Sequence, residues 1–210
     1  MVKTLIFDFG NVLINLDFDR CFNAFEELLQ VDWSKSKVPP SIQEAIIQYD
    51  KGLISNEEFV SAFIAMRNDV EFDQVKEAWN YLIADMPSTR FEFLENLRNH
   101  YQLVLLSNIN AFHVDRVHEI LDIDHGVRDF EGIYFDKVFY SHLIGKRKPE
   151  KDIYQYVQAE LKLKPHEILF IDDIPENIEA AKAQGWYGQV HDPLDNIELM
   201  LGGYLDAISD

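Results

Sequence analysis

Cysteine, basic residues and long apolar runs are all scarce in this sequence of 210 residues. Its one cysteine, Cys21, cannot form an internal disulfide, so nothing indicates an oxidising compartment. Lysine and arginine number 19 against 37 acidic residues, and the field of such a surface opposes polyanions. The composition therefore argues against nucleic acid and anionic membranes as partners.

No apolar run approaches the roughly 18 residues that a membrane-spanning helix requires. The segment Met1–Leu5 lacks the basic stretch and long apolar run of a signal peptide, and the residues that follow are interrupted by Asp8 and Asn11. We therefore expect a cytoplasmic protein. With 47% hydrophobic residues, the chain can bury the core of one large domain, or of one domain that carries an insert.

Short, continuously apolar segments that end at a polar residue are typical of strands buried on both faces of a parallel sheet. The strong candidates are Thr4–Phe7, Leu103–Leu106 and Ile168–Ile171, and the weaker ones are Lys137–Tyr140 and Tyr187–Val190. Helical patterns lie between the strong candidates, and this alternation predicts a doubly wound α/β fold with a parallel sheet. The Gly202-Gly203 pair predicts a break in a C-terminal helical segment.

The interval between the first two strong strands, residues 13–102, is far longer than a crossover connection requires. Aromatic and apolar residues recur there at helical spacing, and Ser55 with Glu58 matches a capping box at the start of a helix. An aromatic stripe of this kind is more typical of packing than of a ligand site. We therefore predict that several helices are inserted after the first strand.

These helices are predicted to form a small all-helical cap subdomain at residues 16–86. The α/β core would then consist of residues 1–15 and 87–210. Hinges between the two parts are expected near Asn15–Asp17 and Met86–Thr89.

Polar side chains follow the three strong strands, at the edge of an open parallel sheet where ligands bind. They are Asp8, Ser107, and the pair Asp172 and Asp173. Three carboxylates that converge on one place repel one another unless a cation lies between them. Because carboxylate and carbonyl oxygens are the ligands that Mg²⁺ prefers, the sequence predicts a magnesium site at this edge.

Four segments resemble the motifs of the haloacid dehalogenase superfamily, and they occur in the order found in that family. They are Phe7–Leu13, Leu106-Ser107-Asn108, Lys148-Pro149, and Ile171-Asp172-Asp173 with Asn177. The predicted helical insert also matches the family's cap in position. Within the family, Gly10-Asn11-Val12 and the run Gly145–Pro149 are similar to the branch that contains bacterial α-D-glucose-1-phosphate phosphatase.

The resemblance implies a magnesium-dependent phosphatase with an HAD-like Rossmannoid core, hydrolysing a small-molecule phosphate monoester such as a sugar phosphate. Asp8 would be the nucleophile and would carry the aspartyl-phosphate intermediate. The metal would be held by Asp8, the main-chain carbonyl of Gly10, and Asp172 or Asp173. Lys148 would place a fixed positive charge beside the nucleophile.

The same resemblance suggests how the phosphate group and the surrounding loops are held. Ser107, the amide of Asn108 and Lys148 would bind the phosphate oxygens of the substrate. Asn11 and Asn177 are assigned supporting roles in the loops after the first and last strong strands. Such a protein is expected to take a small phosphorylated molecule as its partner and to be a monomer or a weak homodimer.

Gly10 departs from the pattern, because most phosphatases of this superfamily carry there an aspartate that protonates the leaving alcohol. A substrate with a more acidic leaving hydroxyl, such as a sugar 1-phosphate, would tolerate the loss. Alternatively, Asp17 or Asp19 could replace the missing acid, although helix capping is the more ordinary role for either. From position alone, Asp17 and Arg20 are also candidate contacts between cap and substrate.

Two other functions remain open at the level of sequence. The 2-haloacid dehalogenases of the superfamily also lack that aspartate and need no metal, but such an enzyme has little reason to keep the Asp172-Asp173 pair. A catalytically silent relative that binds phosphate as a scaffold is the second alternative. The joint presence of Asp8, Lys148 and Asp172 argues against it, because no purely structural role requires all three.

Overall fold

Five parallel strands form one sheet in the computed structural model, which describes residues 1–209, with side chains up to residue 205. The strands are β1 (Thr4–Phe7), β2 (Gln102–Ser107), β3 (Lys137–Tyr140), β4 (Ile168–Asp172) and β5 (Tyr187–Val190), in the spatial order β3-β2-β1-β4-β5. Every predicted strand is present, and the doubly wound fold is confirmed. The strand β1 therefore lies at the centre, where Leu5 is paired with Leu103 on one side and Leu169 on the other.

Helices make up most of the remaining chain. They are α1 (Phe18–Leu29), α2 (Trp33–Ser36), α3 (Pro40–Asp50), α4 (Asn56–Ile64), α5 (Phe72–Asn80), α6 (Thr89–Arg98), α7 (Ala111–His125), α8 (Phe130–Tyr134), α9 (Ser141–Ile144), α10 (Lys151–Leu161), α11 (Pro175–Lys182) and α12 (Ile197–Ser209). None of the helices in the described residues has the length and apolar character to cross a bilayer.

The predicted break at Gly202-Gly203 is wrong, because α12 continues through both glycines. Each glycine in a helix interior costs about 1 kcal/mol relative to alanine. The buried side chains of Ile197 and Leu201 on the same helix pack into the core, and this burial offsets the cost.

Both faces of the sheet are buried, as the continuous apolar runs predict. Successive side chains of a strand point to opposite faces, so Leu5 and Phe7 pack on one side while Ile6 packs on the other. Helices α6, α7, α8 and α12 cover the first face. Helices α10 and α11 cover the second. Burial on both faces leaves the ends of the central strands as the part that a ligand can reach.

Helices α1–α5 share a hydrophobic cluster of their own, which is separate from the two clusters on the sheet. Its centre is aromatic: the rings of Phe25 and Phe63 stack at 4.5 Å between centroids, and those of Tyr49 and Phe59 at 4.3 Å. Among the buried members of this cluster, only Phe112, at the start of α7, comes from outside residues 18–80. The capping box that the sequence predicts at Ser55 is present at the start of α4.

The chain enters and leaves this helical layer through two segments that run side by side. Asn15 N donates to Asp85 O at 2.8 Å, Ala84 N to Asn15 O at 3.1 Å, and Asp17 N to Leu82 O at 2.8 Å. Leu16 and Ile83 form an antiparallel bridge between them. This crossover pair lies beside the first predicted hinge, and the division of the chain at residues 16–86 stays a prediction.

Candidate active site

The carboxylates of Asp8, Asp172 and Asp173 meet at the carboxyl edge of the sheet. The strands β1 and β4 are neighbours, with Phe7 paired to Ile171, so the residues that follow them emerge side by side. A hydrogen bond of 2.8 Å from Asp8 N to Ile171 O continues the ladder to this point. Oxygen atoms of the three carboxylates all lie within 4.8 Å of one another.

Lys148 lies between two of these acids. Its ammonium Nζ is 2.7 Å from Asp8 Oδ1 and 2.6 Å from Asp172 Oδ2, and the side chain is 1% exposed. Asn108 fixes the main chain of this residue: Lys148 N donates to Asn108 Oδ1 at 2.8 Å, and Asn108 Nδ2 donates to Lys148 O at 2.9 Å. The loop after β2 therefore holds the lysine in place beside the acids.

The three carboxylates differ in how many donors they already accept from. Asp172 accepts from Lys148, from the main chain of Ile174 at 2.8 Å, and with both oxygens from Asn177 Nδ2 at 2.9 and 3.1 Å. Asp173 accepts from Asn11 Nδ2 at 3.0 Å, and among the described side chains Lys148 is the one partner of Asp8. Asp8 and Asp173 thus keep free lone pairs, whereas those of Asp172 are nearly all used.

Burial raises the pKa of Asp8 to about 7. Lys148 lowers this pKa, whereas repulsion from Asp172 and Asp173 raises it further. Burial also raises the pKa of Asp173 despite its hydrogen bond from Asn11, and Asp172 adds to the effect. For Lys148, burial opposes the charged form, but the two adjacent carboxylates outweigh it and raise its pKa. One ammonium does not neutralise three crowded acids, so the cluster has an excess of negative charge.

A divalent cation with oxygen ligands fits this cluster. The acids are crowded and carry an excess of negative charge, and the free lone pairs of Asp8 and Asp173 belong to carboxylate oxygens. No hydrogen bond among the described residues uses the carbonyl oxygen of Gly10, so this atom is also available. A donor set made only of oxygen favours Mg²⁺ or Ca²⁺ over softer metals.

The loop after Asp8 is tightly packed and offers no acid at Gly10. A Cβ atom added to Gly10 would lie 2.7 Å from Leu16 Cδ1, so the leucine fills the space that a side chain would need. Asn11 has a left-handed backbone (φ 55°), and its Oδ1 accepts from Leu16 N at 3.2 Å. Since its Nδ2 donates to Asp173, Asn11 connects the loop after β1 to the acidic loop after β4.

The remaining predicted residues lie at varying distances from the cluster. Ser107 is buried at the end of β2, and its hydroxyl makes no hydrogen bond to the described residues, which leaves it available to a ligand. Asn177 is buried and supports Asp172. Asp17 caps α1 by accepting from Arg20 N at 2.9 Å, and Arg20 covers the ring of Tyr81 at 4.2 Å. No recorded contact joins Asp17 or Arg20 to the acids among the described residues.

Sequence reasoning missed Tyr154 and the role of the Asn108 side chain in supporting the site. The side chain of Asn108 binds the main chain of Lys148, as described above, so its main-chain amide is the group left for a ligand. Tyr154, fully buried on α10, donates from its hydroxyl to Asn177 O at 2.9 Å. The tyrosine sits in an ordinary helical apolar pattern, so no signal in the sequence separates it from core residues.

The fold places three acids and a buried lysine together at the carboxyl edge of a parallel α/β sheet. Residues 2–185 match the family model described as haloacid dehalogenase-like hydrolase. The chain belongs to the haloacid dehalogenase-like hydrolase family, and the superfamily expected from the four motifs is confirmed.

Individual relatives cover nearly the whole chain. A D-ribitol-5-phosphate phosphatase of Bacteroides thetaiotaomicron is 27% identical over 190 residues, which are 89% of this chain and 90% of the relative. The structure of a HAD-family enzyme of the same organism, in complex with magnesium and inorganic phosphate, has a TM-score of 0.82 at 30% identity and covers 94% of this chain and 98% of its own. A HAD-like hydrolase of Porphyromonas gingivalis has a TM-score of 0.82 at 27% identity, with 98% of each chain covered.

Proposed function

We propose that this protein is a magnesium-dependent phosphatase that hydrolyses a small phosphate monoester, in the class of sugar phosphates, with Asp8 as nucleophile. The observation that carries the proposal is the grouping of Asp8, Asp172 and Asp173 around the buried ammonium of Lys148. The chemistry of its relatives supports it, since one is a sugar-alcohol phosphate phosphatase and another binds magnesium and inorganic phosphate.

In the first step, the carboxylate of Asp8 attacks phosphorus, the ester P–O bond breaks, and the leaving oxygen keeps the electron pair and takes a proton from water. In the second step, water attacks the aspartyl phosphate, the bond from phosphorus to the Asp8 oxygen breaks, and inorganic phosphate and free Asp8 are returned. Asp8 must be ionised to attack, and the ammonium of Lys148 at 2.7 Å favours that state. Ser107 and the main-chain amide of Asn108 donate to phosphate oxygens.

Mg²⁺, when bound by Asp8, Asp173 and the carbonyl of Gly10, supplies the positive charge that offsets the phosphate and the acids. Asp172 has a different part, because its oxygens already accept from Lys148, Ile174 and Asn177. Asp172 holds the ammonium of Lys148 beside Asp8. We propose this division of roles for the two adjacent aspartates.

The test is release of inorganic phosphate from an aryl phosphate with and without Mg²⁺. We expect turnover that needs the metal and falls on the order of a thousandfold or more in Asp8→Asn. Asp73→Asn, an exposed acid on α5, is the matched control and should keep wild-type turnover. Metal-independent halide release from a 2-haloacid would instead identify a dehalogenase. Phosphate binding without turnover of any ester would identify a silent phosphate-binding relative.

The substrate is proposed from the chemistry of the leaving group. Leu16 occupies the space beside Gly10, and Asp17 is engaged in capping α1, so neither position supplies a free acid. A leaving oxygen that needs little protonation suits such a site, and a sugar 1-phosphate such as glucose 1-phosphate has one. A panel that sets aldose 1-phosphates against polyol and sugar 5-phosphates tests this. Preference for the 5-phosphates would favour the chemistry of the ribitol-5-phosphate relative instead.

We also propose that residues 16–86 act as a cap over the carboxyl edge and select the substrate. The support is their separate hydrophobic cluster and the crossover pair through which the chain enters and leaves them. Asp17 caps its first helix, α1, and Arg20 lies in the first turn of that helix. Oligomeric state, proposed as monomer or weak homodimer, is measured by sedimentation at several protein concentrations.

A further inference from the structure

Four consecutive residues at and just after the end of α3, Tyr49 to Gly52, each contact the part of the chain that follows β2. Tyr49 accepts at its hydroxyl from Phe112 N at 3.3 Å, and Lys51 Nζ is 2.6 Å from Glu150 Oε1. A Cβ atom at Gly52 would lie 2.0 Å from the carbonyl oxygen of His142, so the backbones of these two segments are in close contact. Asp50 contacts this part of the chain through both its side chain and its main chain.

The side chain of Asp50 holds Asn110, the residue that caps α7. Asn110 Nδ2 donates to Asp50 Oδ1 at 3.0 Å. The other end of the same amide, Oδ1, accepts from His113 N at 3.2 Å and from Trp79 Nε1 at 3.3 Å. Asn110 is 1% exposed, so its polar atoms depend on these partners.

The main chain of Asp50 holds the residue before Asn110. Ser141 Oγ, fully buried after β3, donates to the carbonyl oxygen of Asp50 and accepts from Ile109 N at 2.9 Å. Ile109 and Asn110 directly follow Ser107 and Asn108, the residues proposed to bind phosphate. One residue of the helical layer is therefore linked to two successive residues of the phosphate loop, residues 107–110.

We propose that Asp50 is a positioning residue, which fixes the phosphate loop from the helical layer and so aims its donors at the phosphate group. The inference deepens the proposed function and rests on it. Hydrogen-bond donors stabilise a transferring group only where they are held at about 3 Å from the position that its oxygens take. Loss of the Asp50 carboxylate removes one of the two partners of the buried Asn110 Nδ2, leaving His113 Nδ1 at 3.3 Å, and weakens the hold on the loop at that point.

The test compares four folded variants by the binding of inorganic phosphate in saturating Mg²⁺, measured by calorimetry, and by steady-state kinetics. Asp50→Ala should raise the Kd of phosphate about tenfold and lower kcat more than it raises KM. Asp50→Asn keeps an oxygen that accepts from Asn110, so it should stay within about twofold of wild type. Glu44→Ala, an exposed acid on the same helix, and Lys51→Ala, which breaks only the pair with Glu150, are the controls.

Amide hydrogen exchange gives a reading that does not depend on catalysis. The amide of His113, which donates to the Asn110 side chain, should exchange faster in Asp50→Ala and not in Lys51→Ala, because only the first variant removes a bond to that side chain. Wild-type phosphate affinity and wild-type exchange in folded Asp50→Ala would overturn the inference, and so would equal effects in Lys51→Ala. Failure of the wild-type protein to bind phosphate or to hydrolyse any ester would overturn the proposed function, while the exchange experiment would still decide whether Asp50 holds the loop.

Discussion

Leu16 is the side chain that decides what position 10 can hold. Its Cδ1 lies 2.7 Å from an ideal Cβ at Gly10, and its main-chain nitrogen is fixed by Asn11. An acid at position 10 therefore has no room unless the leucine rotates or is shortened.

We predict that Gly10→Asp alone costs roughly 1–3 kcal/mol of unfolding free energy in urea, because it crowds Leu16. The pair Gly10→Asp with Leu16→Ala should recover part of that stability. It should also raise kcat for alkyl phosphates tenfold or more above Leu16→Ala alone, since a positioned acid supplies the proton. Aryl phosphates, with acidic leaving groups, are the internal control and should gain little. Equal gains for both substrate types would contradict this account.

His113 and Asp50 respond to acid in opposite directions. Burial lowers the pKa of His113 to about 4, although its bond to Trp79 O favours the proton, and burial raises the pKa of Asp50 to about 6 against its bond from Asn110. Between roughly pH 6.5 and 4 the unfolded chain binds the imidazole proton more readily, so His113 makes stability fall as pH falls. Between about pH 6 and 4 the folded chain binds the Asp50 proton more readily than the unfolded chain, so Asp50 makes stability rise as pH falls.

We predict how much the free energy of unfolding decreases between pH 7.5 and pH 5.5 in two variants and in wild type. His113→Gln should lose less stability over this interval than wild type, by on the order of 1 kcal/mol, because it removes a group that resists protonation. Asp50→Asn should lose more than wild type, by a smaller amount. The exposed His166→Gln is the control and should follow wild type. Identical pH dependence in all four proteins would mean that neither group titrates as its surroundings require.

At the scale of elements, the crossover pair joins the helical layer to the sheet with few bonds. Ala84→Pro removes the N–H that donates to Asn15 O, whereas Ala84→Thr keeps it. We predict faster proteolysis between residues 80 and 90 and a lower kcat/KM in the proline variant, with Mg²⁺ affinity unchanged because the acids lie at the ends of β1 and β4. Equal protease sensitivity in the two variants would show that this pair does not hold the layer.

The strands and the acids at their ends could be predicted from sequence because burial on both faces leaves long apolar runs that stop at polar residues. Thr4–Phe7 and Asp8 are of this kind. The contacts of Asp50 could not be predicted, since a polar residue that bonds to a loop 60 positions away leaves no periodic signal. The contact between Leu16 and position 10 escaped because the path of the loop after Asp8 follows no periodic pattern in the sequence. The continuity of α12 through Gly202 escaped because tertiary packing outweighs local propensity.

At the scale of the whole molecule, folding concentrates part of the excess negative charge of the sequence at one site. The chain carries a formal charge of −18, and three of its acids are forced together where β1 and β4 end. In the unfolded chain these acids are dispersed and solvated, so a divalent cation binds the folded state preferentially. The stability of the protein and its metal occupancy are therefore linked.

We predict that Mg²⁺ at a hundred times its Kd adds about 2.7 kcal/mol of stability. For a chain of this size the melting temperature should rise by about 5–10 °C and return after chelation with EDTA. Sodium chloride at matched ionic strength corrects for general screening of the acidic surface. Asp173→Asn should abolish the rise, because it removes a carboxylate that has free lone pairs, and the exposed Asp73→Asn should keep it. A full magnesium shift in Asp173→Asn would mean that the ion is held without this residue, and the proposed division between Asp172 and Asp173 would be wrong.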